Sequence, residues 1–442
     1  MDLAIAAIEV AKNKPMAAVF DYFGEQLHES FFITPDERGV DEICRIASET
    51  AAKAGKKHLV YSLEHTGHYH EHIAEALRKH GCVLMPLNSF TTKRERDSML
   101  DYSKTDDLDL HSIAEAVSAG KTVEDRVPTG SEAELRFMAR TRRSLIKDRS
   151  RAFIALRTLL DHYWPALQGV PEVIGGKPVL HRIFGKTWTD QAFEFLRHVN
   201  TPAEARSLGE SGLEQLSRQQ RLRLGKRRIA LILQAAALAP ETGESLLELY
   251  RVRLKEILDA IANLNKRIGE FERRSQAILA GSRSVLLLTM PQIGAVTAAE
   301  YMGEVGFQVP RLHSASAIVK LAGTNPVPDE SGDHSYGTRI SKQGGSFLRA
   351  LTFTMGRNLS GPRGNPYFVT YGQRLKLKPK QRWIAVGNKA HHVMFAMLKK
   401  GEIFAPQTWP GPFLADNPLK KLLPEFRDLA RRQLRNLGIN RY

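Results

Sequence analysis

Four carboxylates in the first quarter of the chain are of a type and spacing that could hold divalent metal. Glu9 lies in the apolar run LAIAAIEV, Glu64 ends HLVYSL, and Asp106 and Asp109 stand in KTDDLD. An acid inside an apolar strand is costly unless it is paired or bound to metal. The i,i+3 spacing of Asp106 and Asp109 puts both on one helical face. Four carboxylates converging at one sheet edge can hold two Mg²⁺ about 4 Å apart, one on an attacking and one on a leaving oxygen. Oxygen ligands favour Mg²⁺ or Mn²⁺ over softer metals. Each acid also has a plainer reading. Asp106 and Asp107 suit a first helical turn through the helix dipole, and Glu64 suits a solvated strand end. Glu9 is the hardest to dismiss, and the case rests on the set. His65, His68, His70 and His72 crowd EHTGHYHEH, but their order is not HExxH and no distant ligand accompanies them, so a helix start is favoured over zinc.

The elements that must position these acids follow from hydrophobic patterning. Residues 3–10, 16–22, 28–33 and 58–63 read as strands, with a turn at Phe23-Gly24-Glu25, and CVLMP (82–86) as a further short strand. Helices are expected at 40–54, 69–80 and 106–119, so strands and helices alternate as in an α/β domain. Beyond that the chain turns helical and basic at 131–165, passes a Gly- and Pro-bearing connector at 168–187, and becomes helical again at 203–238. Leu247, Tyr250, Leu254, Ile257, Ile261, Leu264, Ile268 and Phe271 are spaced alternately by three and four, a heptad seam. Such a seam serves an intramolecular helical hairpin or a dimer interface equally well. Residues 282–400 read as a compact, mostly helical domain with loops at 323–345 and 361–366. The tail from about 405 is Pro-rich, then basic and helical. The expected division is 1–125, an α/β domain; 126–280, a helical region with coiled coil; 281–404, a mostly α domain; and 405–442, a basic tail.

Charge separates these parts. Of 442 residues, 64 are Lys or Arg and 48 Asp or Glu, a net of +16. Residues 1–120 carry 20 acids against 13 bases, leaving +23 for the remainder. A basic bulk points to a polyanionic partner, most simply nucleic acid, and an acidic first third suits metal-binding carboxylates. The runs at 140–151 and 218–228 and RLKLKPKQRW (374–383) would suit an RNA or DNA backbone, with Trp383 either stacking on a base or packing. Two cysteines form no disulfide framework, which with the lack of a signal-like start leads to a cytoplasmic expectation. No apolar run has membrane-spanning length.

Glu64-His65-Thr66-Gly67-His68-Tyr69 (ExTGxY), followed by Lys104-Thr105-Asp106-Asp107-Leu108-Asp109 (KTDxxD), resembles the DEDD transposases of the IS110 insertion-sequence family. LLLTMPQIGAVTA (286–298), LAGTNPVPDESG (321–332) and ISKQGGSFLRALT (340–352) resemble the family's second domain, in order and spacing. With the heptads between, the resemblance covers most of the chain. It implies an RNase H-like (RuvC-like) N-terminal domain, a helical coiled-coil middle and a mostly α C-terminal transposase domain with helix-hairpin-helix-like and Ser-Gly motifs.

The resemblance further implies a DNA transposase or recombinase that works on element ends and target, with Glu9, Glu64, Asp106 and Asp109 as metal ligands and Ser331 as nucleophile. A covalent phosphoserine would conserve bond energy for rejoining. Some members of the family are directed by a structured RNA from their own element. Pro291, Gln292 and Gly294 form the hairpin loop, and Lys342, Arg349 and the Gly344-Gly345 backbone could hold a phosphate. Arg374, Lys376, Lys380 and Arg382 are further candidate contacts. Read bottom-up, Ser331 is a turn serine that would ordinarily cap or be solvated, and His334 is a candidate helper. The chain departs from the family at Glu9, where Asp is usual, and at PQIG, which lacks the first glycine of PGIG. A homo-oligomer is expected through the heptads. Two other readings stand beside this one: a RuvC-like nuclease or junction resolvase, in which Ser331 is dispensable, and a non-catalytic coiled-coil protein that organises nucleic acid.

Overall fold

The computed structural model describes the chain apart from residues 1, 13, 65–68, 99–105, 123–127, 129, 175–176, 186–187, 310–313, 332–333 and 406–416. For 89–90, 96–98, 106, 329–331 and 334–337 it describes the backbone only. The chain forms two compact units, Met1–Ala133 and Glu134–Tyr442.

The first unit contains β1 (Leu3–Glu9), β2 (Met16–Asp21), β3 (Gln26–Phe32), α1 (Glu37–Lys53), β4 (His58–Leu63), α2 (His70–Lys79), α3 (Ser89–Ser98) and α4 (Asp106–Ser118). The sheet order is β3-β2-β1-β4, with β2 antiparallel to both neighbours and β1 parallel to β4. Beyond β4, Leu84 and Leu87 make isolated parallel bridges to Tyr61 and Glu64, so CVLMP lies at the sheet edge as a fragmentary fifth strand. β1 and β4 read as continuous apolar runs because helices cover both faces. Ala4, Ala6 and Ile8 pack with Val40 and Ile43 of α1 and Ile73 and Leu77 of α2. Ile5, Ala7 and Phe20 pack with Leu110, Ile113 and Val117 of α4. The β2–β3 turn is organised by Asp21, whose carboxylate accepts from Phe23 N (2.8 Å) and Glu25 N (3.0 Å) and pairs with Lys56. Burial pushes this carboxyl up, but the amides and the ammonium outweigh burial and hold it below the usual range. Cys44 and Cys82 are free thiols with Sγ atoms 3.5 Å apart, and burial pushes Cys44 up to about 12.

The second unit begins along α5 (Ser131–Tyr163). Then come a hairpin of β5 (Val170–Ile174) and β6 (Lys177–His181), α6 (Asp190–His198), α7 (Pro202–Gln219), α8 (Lys226–Ala237) and α9 (Glu244–Ala280). A 3-10 segment, Arg283–Thr289, leads to α10 (Ala295–Val305), α11 (Ala315–Ala322), the hairpin β7 (Pro326–Ser331) and β8 (His334–Ile340), α12 (Ser346–Leu359), α13 (Pro366–Arg374), α14 (Pro379–Lys400) and α15 (Arg427–Asn436). Two hairpins therefore stand where a connector and loops are expected from sequence. Pro326 and Pro328 argue against a strand in a sheet interior, but both strands of a two-stranded hairpin are edges and tolerate them. The expected helix 203–238 is two helices, broken by 220–225 with Arg221 at φ 53°.

The heptad seam is filled from within the chain. α5 and α9 run antiparallel, with Phe137 against Phe271, Arg149 bonded to Asn265 and Tyr163 stacked on Tyr250 at 5.3 Å. Leu247, Leu254, Ile257 and Ile261 share one core with Leu156 and Leu160 of α5, Phe195 of α6 and Ile229 and Ile232 of α8. The intramolecular alternative thus accounts for this stretch, because α5 is long enough to cover α9. Leu246, Leu249 and Val252 lie exposed on the outer face of α9.

A second core joins α10, α12 and α14. α12 and α14 cross closely through glycines: a Cβ on Gly356 would meet Trp383 O at 1.8 Å, and one on Gly387 would meet Thr352 O at 2.4 Å. At the same crossing Thr352 Oγ1 bonds His391 Nε2 at 2.8 Å, and burial pushes that imidazole down to about 3.

Leu254→Ala, deep in the α5–α9 core, should cost about 2–5 kcal/mol, read as a lower unfolding midpoint. Leu249→Ala, 65% exposed on the same helix, should stay within about 0.5 kcal/mol. Equal effects would mean the seam is not covered in this way.

Candidate active site and nucleic-acid interface

The parallel register of β1 and β4 pairs Ile8 with Leu63. One step further along both strands come Glu9 and Glu64, side by side at the C-terminal ends of neighbouring strands, whose usual spacing is about 4.8 Å. Side chains alternate along a strand. Glu9 thus follows Ile5 and Ala7, and Glu64 follows Val60, onto the face covered by α4. α4 opens with Asp106 and carries Asp109, partly buried, one residue before the buried Leu110. Glu9 and Glu64 are therefore neighbours on one face of the sheet, whereas Glu9, Glu64 and Asp109, all described, are not brought together as a metal-holding group. The side chain of Asp106 lies outside the described residues. Among the described residues no three His, Cys, Asp or Glu side chains form a group that could hold a metal ion. The donor set consists of carboxylate oxygens, which in type suits Mg²⁺ or Mn²⁺. Of the four histidines, His65 and His68 lie outside the described residues, His70 is buried and His72 exposed.

Sequence reasoning missed one residue here. Thr92, buried in α3, donates from Oγ1 to Glu64 Oε2 at 2.5 Å. α3 is the sequence SFTTKRERDS, whose few apolar residues form no stripe, so periodicity could not reveal it. The cue that was present is Asn88-Ser89, a capping signal before Thr91-Thr92.

In the second unit Ser331 is the last residue of β7, paired with His334 across the hairpin tip, and Gly332 and Asp333 lie outside the described residues. Pro328, Asp329 and Glu330 are strand, and the turn expected at Ser331-Gly332 falls partly outside the described residues. The 342–345 loop packs on the end of α11. Lys342 N donates to Gly323 O and Gly345 N to Leu321 O, with Lys342 at φ 57°. Gly323 and Gly344 are required there: a Cβ on Gly344 would meet Leu321 O at 2.2 Å. Arg349 Nη1 donates to the carbonyls of Lys342 (3.1 Å) and Gly344 (3.3 Å), so this arginine first of all shapes the loop. Lys342 itself is exposed.

The 290–294 loop joins the 3-10 segment to α10. Gln292 takes φ 66°, the left-handed conformation that glycine adopts without strain, and its amide donates to Arg363 O at 2.9 Å. Gly294 is the N-cap of α10. Arg374, Lys376 and Lys380 are exposed, whereas Arg382 is tied to Leu377 O. Trp383 packs edge-on against Phe353 at 5.2 Å.

The two basic arms have different fates. In 140–151, Arg140 pairs with Glu304, Arg142 with both Glu272 (2.7 Å) and Glu300 (2.9 Å), and Arg151 with Asp148, while Arg143 lies over Phe347. Much of this charge is matched within the protein. In contrast, Arg182, Arg223, Lys226, Arg227 and Arg228 line a cavity of about 630 Å³ with His181 and no acid among its lining residues. His181 pairs with Glu172, and Arg228 donates to Ile183 O and Arg223 O; the remaining cations of the lining make a ready site for a phosphodiester backbone.

Comparison with known proteins gives the family. Residues 6–165 match the DEDD transposase model of IS110 elements, and residues 284–373 match the model described as "Transposase IS116/IS110/IS902 family". Together the two stretches cover more than half of the chain. The insertion element IS900 uncharacterized 42 kDa protein of Mycobacterium paratuberculosis is 26% identical over 339 residues, which span 74% of this chain and 79% of that protein. The chain belongs to the IS110 family of transposases. Membership implies cleavage and rejoining of DNA, and the DEDD match implies an RNase H-like fold for the α/β unit. Among the described residues no helix is long and apolar enough to cross a membrane.

Two measurements follow. Thr92→Val removes the hydroxyl from Glu64 at constant shape. It should raise the Mg²⁺ concentration needed for DNA cleavage about tenfold and leave thermal stability nearly unchanged, with Thr92→Ser restoring the Mg²⁺ response. An unaltered Mg²⁺ titration would remove Thr92 from the site. The pair Lys226→Glu and Arg227→Glu should lower the slope of log affinity against log salt by about 2; an unchanged slope would mean the cleft carries no backbone.

Proposed function

We propose that the protein moves an insertion sequence by cutting and rejoining DNA with two cooperating sets of residues. Glu9, Glu64, Asp106 and Asp109 hold Mg²⁺ or Mn²⁺, and Ser331 is the nucleophile. The observation that carries this reading is the β1–β4 register, which sets Glu9 beside Glu64 on the face that α4 covers. When bound, the metal polarises the phosphodiester and stabilises developing charge. A serine hydroxyl is a poor nucleophile at neutral pH without such help or a base. The seryl Oγ forms a bond to phosphorus as the P–O bond to the leaving deoxyribose oxygen breaks. The seryl proton leaves with a base or solvent, and the leaving oxygen gains one. Reversal with a different deoxyribose hydroxyl rejoins the strands and frees Ser331 without ATP. His334, its pairing partner across the hairpin, is a candidate to assist that proton.

Glu9 carries one methylene more than the usual Asp, and Thr92 holds the neighbouring Glu64 through its hydroxyl. DNA ends and target are the substrates. A structured RNA of the element is a further partner, for which the cleft at 182 and 223–228 has suitable charge. The reading places the protein in the cytoplasm, where its DNA lies.

Wild-type protein on its own element ends should yield a covalent protein–DNA adduct on a denaturing gel. Ser331→Ala and Asp106→Asn should each lose the adduct and strand exchange while still binding DNA. Normal recombination by Ser331→Ala would refute the serine and favour a resolvase-like nuclease. Unchanged Mg²⁺-dependent cleavage by Asp106→Asn would refute the metal site.

A further inference from the structure

Lys421 makes an unusual set of contacts. Its Nζ donates to three backbone carbonyls, Leu288 O (2.6 Å), Met290 O (2.8 Å) and Ile293 O (2.8 Å), so all three ammonium protons are committed to one short loop. Among the described residues no carboxylate lies within ion-pair distance of it, and burial pushes its pKa down to about 8. Three carbonyl dipoles aimed at one point repel one another unless a cation sits between them. Rings of backbone carbonyls bind monovalent cations in this manner, replacing the ion's hydration shell. The ammonium arrives on the 3-10 turn Pro418–Lys421, which Asn417 caps through Leu419 N and which the fully buried Leu419 and Leu422 anchor in the α10–α14 core. The loop lies inside the stretch matched by the transposase family model, and the lysine lies 48 residues beyond its end at 373.

Within the 290–294 loop Met290 N and Ile293 N donate to Leu287 O and Met290 O, and Pro291 has no N–H. We propose that Lys421 is a tethered monovalent cation for the 288–293 carbonyl cage, holding the loop in the shape that presents the Gln292 and Gly294 N–H groups to a DNA phosphate. The DNA contact rests on the transposase reading, whereas the cage does not. The ammonium does three things that a solvated surface lysine would not. It neutralises the converging carbonyls, it fixes the reversal in which Gln292 holds its left-handed φ, and it places positive charge directly behind a candidate phosphate contact. Lys421 is thus a positioning residue. Because the cation is covalently tethered, the loop of the intact protein is independent of which salt is present.

The test uses the full chain in chlorides of potassium, ammonium and tetramethylammonium at equal ionic strength. Wild type should unfold at the same temperature in all three. Lys421→Ala opens the cage and should unfold several degrees lower in tetramethylammonium, which is too large to enter, and recover much of the loss in potassium or ammonium. Lys421→Met fills the space without charge and should stay low in every salt. Affinity for element-end DNA should fall about tenfold in Lys421→Ala and follow the same cation order. An equal response of Lys421→Ala to all three cations, or wild-type stability in Lys421→Met, would overturn the cage. Cation-specific stability without any change in DNA affinity would leave the cage standing and overturn its role at the phosphate.

Discussion

Parallel pairing of two apolar strands organises the acidic unit. β1 and β4 are buried on both faces, so a slip of one residue between them would turn every side chain to the wrong layer. That constraint locks Ile8 against Leu63 and carries Glu9 and Glu64 to matching heights at the strand ends. α4 is held to the same face by Leu110, Ile113 and Val117, which brings Asp109 along as a passenger of hydrophobic packing. Glu9 and Glu64, which would be expensive inside a core, thereby stand at the strand ends. Thr92 then adds a hydrogen bond that fixes the orientation of Glu64.

The basic unit is built on helix packing at two distances. α5 and α9 lie side by side through large residues, including the stacked Tyr163 and Tyr250. α12 and α14 approach much closer, because Gly356 and Gly387 have no Cβ to separate the backbones. The close crossing buries His391 beside Thr352. Arg349 and Lys421 show the same economy of means: each spends its protons on backbone carbonyls and so shapes a loop that carries no regular structure.

Charge is divided by packing rather than by composition. Arg140, Arg142 and Arg151 face carboxylates, whereas Arg223, Lys226 and Arg227 line an open cleft without acids. In sequence, the residues lining that cleft fall between the two stretches that match the transposase models. Equal local density of arginine therefore led to structural ion pairs in one helix and to an unmatched cationic surface in another segment.

The amino-acid order by itself determined the α/β character of the first unit, since runs such as LAIAAIE and HLVYSL can only be buried, and it determined the candidate acids and Ser331 through their motifs. It determined the existence of the α9 seam from its heptads, but not the occupant. Only the tertiary structure assigned α5 to that role, because a period of apolar residues states that a face is buried and never by what. α3 and the β7–β8 hairpin were illegible for local reasons: one lacks an apolar stripe, and the other carries two prolines that only an edge strand accepts. Thr92 on Glu64 and the three carbonyls around Lys421 join residues 28 to 133 positions apart, and Arg140 reaches an acid 164 positions away. Contacts at such separations depend on how the chain returns on itself, which no local pattern encodes.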